Sequence, residues 1–186
     1  MVVEALPIAG PMIVTPRQFS DERGTFFEVY HEARYSQLGL VDRFVQDNCS
    51  FSRQGTIRGL HYQVGSRAQG KLGFVLHGTV LDVAVDLRLG SPTYGQHVAV
   101  ELSAENRRQL WVPPGFAHGI SVLSDEAVFV YKCTQNYSAV DERTVLWCDP
   151  DLAIDWRVEQ PIVSDKDAAG CAFHEIQPDD VHRFSY

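Results

Sequence analysis

From Leu72 onward, apolar and polar positions alternate in short runs closed by turn-forming residues. Leu72–Leu87 holds two such runs, broken at His77, Gly78 and Thr79. In the second, Leu81, Val83, Val85 and Leu87 alternate with Val80, Asp82, Ala84 and Asp86, and this period of two predicts a strand. Ser91–Gly95 has turn chemistry, and His97–Leu102 alternates again. A polar corner at Ser103–Gln109 leads to the apolar run Leu110–Val112 and the turn Pro113–Gly115. Gly119–Leu123 and Ala127–Thr134 are two further predicted strands. A spacing of about 8–12 residues with Gly and Pro between runs predicts an antiparallel sandwich or barrel.

Helical signal is thin. His31–Leu38 is long enough for two turns, with Gly39 placed to end them. Ser164–Gly170 predicts one capped turn, with Ser164 as N-cap and Asp165 and Asp167 in the first turn. No repeat, low-complexity tract or linker interrupts the chain, so residues 1–186 are expected to form a single mainly-β domain with a few short helices.

Composition narrows the function classes. With 45% hydrophobic and 22% charged residues the chain is globular, and 186 residues suit one well-filled domain. The 16 Lys and Arg against 24 Asp and Glu give a charge of -8 with no basic run, which argues against a nucleic-acid partner. No apolar stretch approaches the roughly 18–20 residues of a membrane span, and the N-terminal residues lack the pattern of a signal peptide. Cys49, Cys133, Cys148 and Cys171 are widely spaced and form no CxxC pair. That argues against a zinc ribbon or a disulfide framework and points to a reducing cytoplasm.

Polar residues with chemical reach break the β pattern at a few places. Asp21–Gly24 is a turn whose Arg23 offers the planar fork that recognises phosphate, or is simply solvated. Phe44–Asn48 reads, taken alone, as a capped loop. In Ile57–Gln63, Gly59 allows close backbone approach, while Arg58 and His61 fall on opposite faces unless the strand bulges. Lys71 heads an apolar strand, where it is either solvated or buried at a cost that implies a function. Pro114–Gly119 places His118 in a turn. Of the neighbours Tyr131 and Lys132 one points inward, and Tyr131 is the better interior residue, with a hydroxyl able to act as an acid.

A small barrel with His61 and the Pro113, Gly115, His118 element looks like a cupin, yet His61-Tyr62-Gln63 lacks the second His and the Glu of metal-binding cupins. Two histidines without a carboxylate make a poor zinc or iron site, so a His, a Lys, a Tyr and a carboxylate remain for proton chemistry.

Taken in order, Asp21–Gly24, Phe44–Asn48, Arg58–Gln63, Ala68–Leu72, Val80–Arg88, Ser91–Gly95, Leu102–Asn106, Gln109–Pro113, Gly115–Gly119, Val130–Lys132, Asp149-Pro150, Ile154–Trp156 and Ser164–Asp167 resemble the dTDP-4-dehydrorhamnose 3,5-epimerase family, from about Pro7 to about Ala168. The resemblance implies an antiparallel jelly-roll (cupin) barrel, a homodimer, and an isomerase that needs no metal or cofactor. Its substrate would be a nucleoside-diphospho-4-keto-6-deoxy sugar, dTDP-4-dehydro-6-deoxy-D-glucose, epimerised at C3 and C5 to dTDP-4-dehydro-L-rhamnose. Both carbons flank the C4 ketone, so proton loss from either gives an enolate.

By the same resemblance His61 is the general base, oriented by Asp167. Lys71 stabilises the C4 oxyanion, and Tyr131 returns a proton from the other face. Arg23 and Arg58 grip the diphosphate, and Gln46, Asn48 and His118 match sugar- or phosphate-contacting positions. Phe26 or Phe27, Glu28 and Tyr137 match positions around the nucleoside, some of them reaching across from a partner subunit.

Three features depart from the family pattern. Gly73-Phe74 stands where Val-Arg is common, Cys49 stands where His is common and is expected to be packed, and Cys171–Tyr186 matches nothing, its His174 and His182 expected on the surface. Two alternatives stay open. One is a mono-epimerase at C3 or C5, using the same His61, Asp167 and Lys71. The other is a sugar-binding cupin that is non-catalytic or binds a metal.

Overall fold

The computed structural model describes residues 1–40 and 43–184. Its strands are β1 (Val2–Ala5), β2 (Met12–Thr15), β3 (Gln18–Asp21), β4 (Gly24–Phe27), β5 (Gln46–Arg53), β6 (Ile57–Gln63), β7 (Lys71–His77), β8 (Thr79–Asp86), β9 (His97–Ser103), β10 (Gln109–Val112), β11 (Phe116–Val122), β12 (Glu126–Cys133) and β13 (Glu142–Thr144). Two short helices, α1 (Glu32–Ser36) and α2 (Asp165–Ala168), decorate them.

A six-stranded sheet in the order β1-β2-β10-β7-β12-β5 faces a five-stranded sheet in the order β13-β6-β11-β8-β9. All their strand pairings are antiparallel, which makes the molecule a jelly-roll (cupin) barrel. Among the described residues, strands β3 and β4 pair only with each other, as a hairpin turning at Glu22 and Arg23.

Between the sheets lies a core that includes Ile13, Val75, Val80, Ala84, Leu110, Val122 and Phe129. A second cluster forms on the outer side of the five-stranded sheet, where Leu81, Val83 and Val85 meet Leu152 and Trp156. The segment from Val145 to Val181 therefore covers β8 from outside, and β8 is buried on both faces. This inverts the usual meaning of alternation: the polar set, Asp82 and Asp86, shares the side of Val80 and Ala84 that faces the barrel interior. Each has a compensating partner, His118 at 2.6 Å for Asp82 and Arg88 at 2.7 Å for Asp86.

The capped turn at Ser164 is present as expected, while the helix expected over His31–Leu38 is only the five residues of α1, short of two turns. Helix α1 ends where Gly39, at φ 92, lets the Leu40 N–H return to the Tyr35 carbonyl at 3.2 Å. Helix α2 is capped by the Ser164 hydroxyl, which accepts from the Asp167 N–H. Other expectations change. Gln46–Asn48 begin strand β5 rather than a loop, because β12 supplies a full antiparallel partner. His118 sits inside strand β11, since the turn is over at Gly115, whose φ is 92. Cys49 is exposed on edge strand β5, and all four cysteines are free thiols. Of the two tail histidines expected on the surface, His174 is exposed while His182 is half-buried, its carbonyl accepting from the Leu89 N–H at 2.7 Å. Ser185 and Tyr186 of that tail lie outside the described residues.

Burial works to raise the Asp86 carboxyl, but hydrogen bonds from Arg88, Ser91 and Thr93 outweigh it and hold it below the ordinary range. Folding therefore makes Asp86 more acidic, and the stability it adds is present above about pH 4 and lost as the pH falls through its folded value. Urea midpoints are expected to drop on acidification below about pH 4, and Asp86→Asn should flatten that drop.

Candidate active site

A cavity of about 580 Å³ opens between the two sheets, lined by side chains from β5, β6, β7, β11, β12, β13 and α2. Its chemistry begins with an irregularity. His61 pairs with His118 and Arg58 with Ile120, so three steps along β6 match two along β11. This bulge brings Arg58 and His61, separated by an odd number of positions, to the same cavity. Gly59 makes it possible: its φ is 143, and a Cβ there would lie 2.5 Å from the Gly119 Cα.

The first functional group is a dyad. His61 Nε2–H donates to Asp167 Oδ1 at 2.6 Å, while Asp167 Oδ2 accepts from the Gly59 N–H at 3.1 Å. Burial acts to raise the Asp167 carboxyl, but the His61 hydrogen bond and charge, the Gly59 N–H and Lys166 together hold it below the ordinary range. An ionised carboxylate is acceptor-only, so the hydrogen resides on His61 Nε2 and Nδ1 is left as the basic nitrogen.

Lys71 is buried, and its Nζ donates to the His61 carbonyl at 3.3 Å. Burial depresses its pKa, because an ammonium away from water lacks solvation. Of the two placements open from sequence, the interior one is realised. Tyr131 also lines the cavity, while Lys132 turns to the other face and pairs with Asp47 at 2.8 Å. Burial, with smaller contributions from Cys133 and Glu142 and against the pull of Arg58, pushes the Tyr131 phenol up to about 12. It therefore carries its proton at neutral pH, with Lys71 Nζ 6.0 Å from its ring centroid. His61 on β6 and Tyr131 on β12 belong to opposite sheets and so stand on opposite walls.

The rim is polar. Gln46 donates to Asn48 Oδ1 at 3.0 Å and accepts from the Tyr137 N–H at 2.8 Å. The Tyr137 hydroxyl donates to Glu142 at 3.0 Å, and Lys166 pairs with the same carboxylate at 2.7 Å. Arg58 reaches the opening and bonds Ser52 Oγ at 3.1 Å. Thus His61, Lys71, Tyr131, Asp167, Gln46, Asn48, Arg58, His118 and Tyr137 all line one cavity.

Arg23, Phe26 and Glu28 do not. Arg23 pairs with Asp21 at the hairpin tip, Phe26 is 70% exposed on β4, and Glu28 pairs with Arg34 at 2.7 Å. Conversely, sequence reasoning passed over Asp82, Glu142 and Lys166. An aspartate in the middle of apolar β8 was a usable signal for Asp82. Glu142 and Lys166 carried none, being charges among other charges until the fold set them 2.7 Å apart. Among the described residues, no three His, Cys, Asp or Glu side chains are grouped to hold a metal ion.

An imidazole held by a carboxylate on one wall, with a protonated phenol and a buried lysine opposite, can remove a proton beside a carbonyl and return one from the other side. That arrangement in a jelly-roll cavity defines an isomerase of the cupin type, one that works by proton transfer. The chain matches the family model for dTDP-4-dehydrorhamnose 3,5-epimerase over residues 5–175 and belongs to that family. It is 52% identical to the dTDP-4-dehydrorhamnose 3,5-epimerase of Shigella flexneri, over 87% of this chain and 90% of that one. Against a crystal structure of the Legionella pneumophila 3,5-epimerase in complex with dTDP-4-keto-L-rhamnose, the TM-score is 0.96 at 49% identity, covering 100% of this chain and 99% of that one. A dTDP-4-dehydrorhamnose 3-epimerase of Streptomyces niveus is 38% identical, over 90% of this chain and 81% of that protein.

Proposed function

We infer that this chain epimerises a nucleoside-diphospho-4-keto-6-deoxy sugar at both C3 and C5, converting dTDP-4-dehydro-6-deoxy-D-glucose to dTDP-4-dehydro-L-rhamnose. The observation that carries the reading is the pair of proton-handling groups on opposite walls of one cavity. His61 Nδ1 takes the proton from C3 or C5, and the electron pair moves onto the C4 oxygen as an enolate. The Lys71 ammonium, held in place by burial, stabilises that oxyanion as a preorganised charge. Tyr131 then delivers its proton to the opposite face of the same carbon, which inverts it. The imidazolium and the phenolate return to their starting states by exchange with solvent. Asp167 stays ionised throughout and balances the charge that forms on His61.

Arg58 serves the diphosphate, Gln46, Asn48 and His118 the sugar and its phosphates, and Tyr137 the nucleoside. A mono-epimerase would use the same groups, and the lower identity to the Streptomyces niveus 3-epimerase than to the Shigella flexneri 3,5-epimerase favours inversion at both carbons.

Residues 1–186 act as one domain, working as a homodimer in the cytoplasm. Among the described residues, no helix is long and apolar enough to cross a membrane. The homodimer is supported by the β3–β4 hairpin, which carries exposed Phe19 and Phe26 and an 86% exposed Arg23 side chain away from its own cavity. A second copy brings that hairpin to the cavity mouth and completes the nucleotide site. Mixing His61→Ala with Arg23→Ala subunits is then expected to restore about a quarter of the wild-type rate, because half of the dimers at equal mixing hold one intact site of two. Equal mixing without any recovery would place Arg23 outside the partner's site.

The test of the reaction is incubation with dTDP-4-dehydro-6-deoxy-D-glucose in heavy water, followed by NMR. Deuterium at both C3 and C5 with the L-rhamno product is the expected result. Deuterium at one carbon makes the chain a mono-epimerase, and none at either overturns the epimerase reading.

A further inference from the structure

The wall of the cavity that carries Tyr131 is built around a position with no side chain. Gly73 lies on β7 between Lys71 and Val75 and pairs directly with Tyr131 on β12. A Cβ at Gly73 would lie 2.6 Å from Phe129 Cζ, 3.1 Å from Phe129 Cε2 and 3.0 Å from Asp82 Oδ2. The space that any other residue would fill is thus taken by the tip of the Phe129 ring. From there Phe129 stacks on Tyr131, with centroids 5.7 Å apart and an interplanar angle of 28°. The same ring lies 6.3 Å from His118.

Phe129 has little freedom to yield. It is 2% exposed and packed in the core between the sheets. Asp82, on the far side of the gap, is fully buried and held by His118 at 2.6 Å. A side chain at Gly73 therefore displaces the Phe129 ring, on which Tyr131 stacks. Its backbone is in the ordinary extended range, so the constraint at this glycine is space alone.

We propose that Gly73 is a specificity-determining position, whose missing side chain seats Phe129 beneath Tyr131 and so sets how the Tyr131 hydroxyl divides proton delivery between C3 and C5. This rests on the reading of Tyr131 as the proton donor. One hydroxyl serves two carbons on either side of C4, so a lateral shift of the phenol brings it nearer one and takes it from the other. Proton transfer is steep in such displacements, and shifts of about 1 Å change rates by up to roughly a hundredfold.

The test compares wild type with Gly73→Ala, Gly73→Val, Phe129→Leu and the double variant Gly73→Ala/Phe129→Leu. Initial rates of inversion at C3 and at C5, each accompanied by deuterium, are measured by NMR ring couplings in heavy water on the 186-residue chain. Gly73→Ala is expected to change the C5:C3 ratio by about threefold or more, and Gly73→Val by more. Leucine at 129 lacks the ring tip, so adding Gly73→Ala to Phe129→Leu should leave the ratio of Phe129→Leu unchanged. General weakening of the fold lowers both rates together and leaves the ratio where it was. Gly73→Ala adds a single carbon, which keeps the measurement open where Gly73→Val does not fold. A wild-type ratio in folded Gly73→Ala overturns the proposal alone. Wild-type protein that exchanges neither carbon overturns the epimerase reading, and this proposal with it.

Discussion

His61→Ala is expected to lower deuterium uptake at C3 and C5 by about three orders of magnitude, with little change in KM. The reason is the dyad: Asp167 fixes the hydrogen on Nε2 and leaves Nδ1 as the basic atom in the cavity. Asp167→Asn should cost nearly as much, about two to three orders of magnitude, although the side chain keeps its shape. An amide that offers its NH₂ to Nε2 moves the imidazole hydrogen to Nδ1, the atom that must accept the proton. Ordinary exchange rates in Asp167→Asn would show that the carboxylate does not set the tautomer. Rate measurements at saturating substrate, with circular dichroism to confirm folding, decide both cases.

Tyr131→Phe should separate two events that the wild type couples. Removing the hydroxyl leaves the ring free to keep its stacking on Phe129, and leaves His61, Asp167 and Lys71 in place. Proton abstraction therefore continues, the imidazolium exchanges its proton for deuterium from the heavy water, and it returns that deuteron to the enolate on the face the proton left. The expected result is deuterium exchange with retention of configuration, while inversion falls by about 10²–10⁴. NMR of the sugar reads both: the loss of proton signal at C3 and C5 reports exchange, and ring coupling constants report configuration. Loss of exchange and inversion in equal measure would show that Tyr131 acts before the enolate forms.

Much of this was legible along the chain. The period-two pattern at 80–87, the break at Gly78 and the turn at Pro113–Gly115 correspond to β8, the β7–β8 turn and the entry to β11. Ser164 was recognisable as an N-cap, and the cap is what presents Asp167 to the barrel. The inward choice of Tyr131 over Lys132 also followed from residue chemistry alone, since an aromatic body tolerates burial and an ammonium on the outer face finds water and Asp47. These features are local, decided within a few residues, and local sequence suffices to specify them.

What tertiary structure alone decided is every relation between distant segments. His61 and Asp167 are separated by 106 positions and meet because α2 docks against β6. Arg58 shares the His61 cavity through a bulge that depends on Gly119 coming close enough to need Gly59. Strand β5 reads as a capped loop in isolation and becomes a strand only when β12 pairs with it. Even the alternation of β8 was ambiguous until the C-terminal segment covered its apolar side and turned Asp82 and Asp86 inward. Periodicity tells which residues share a face, but which face is inside depends on what packs against it, and that is settled by segments far away in the chain.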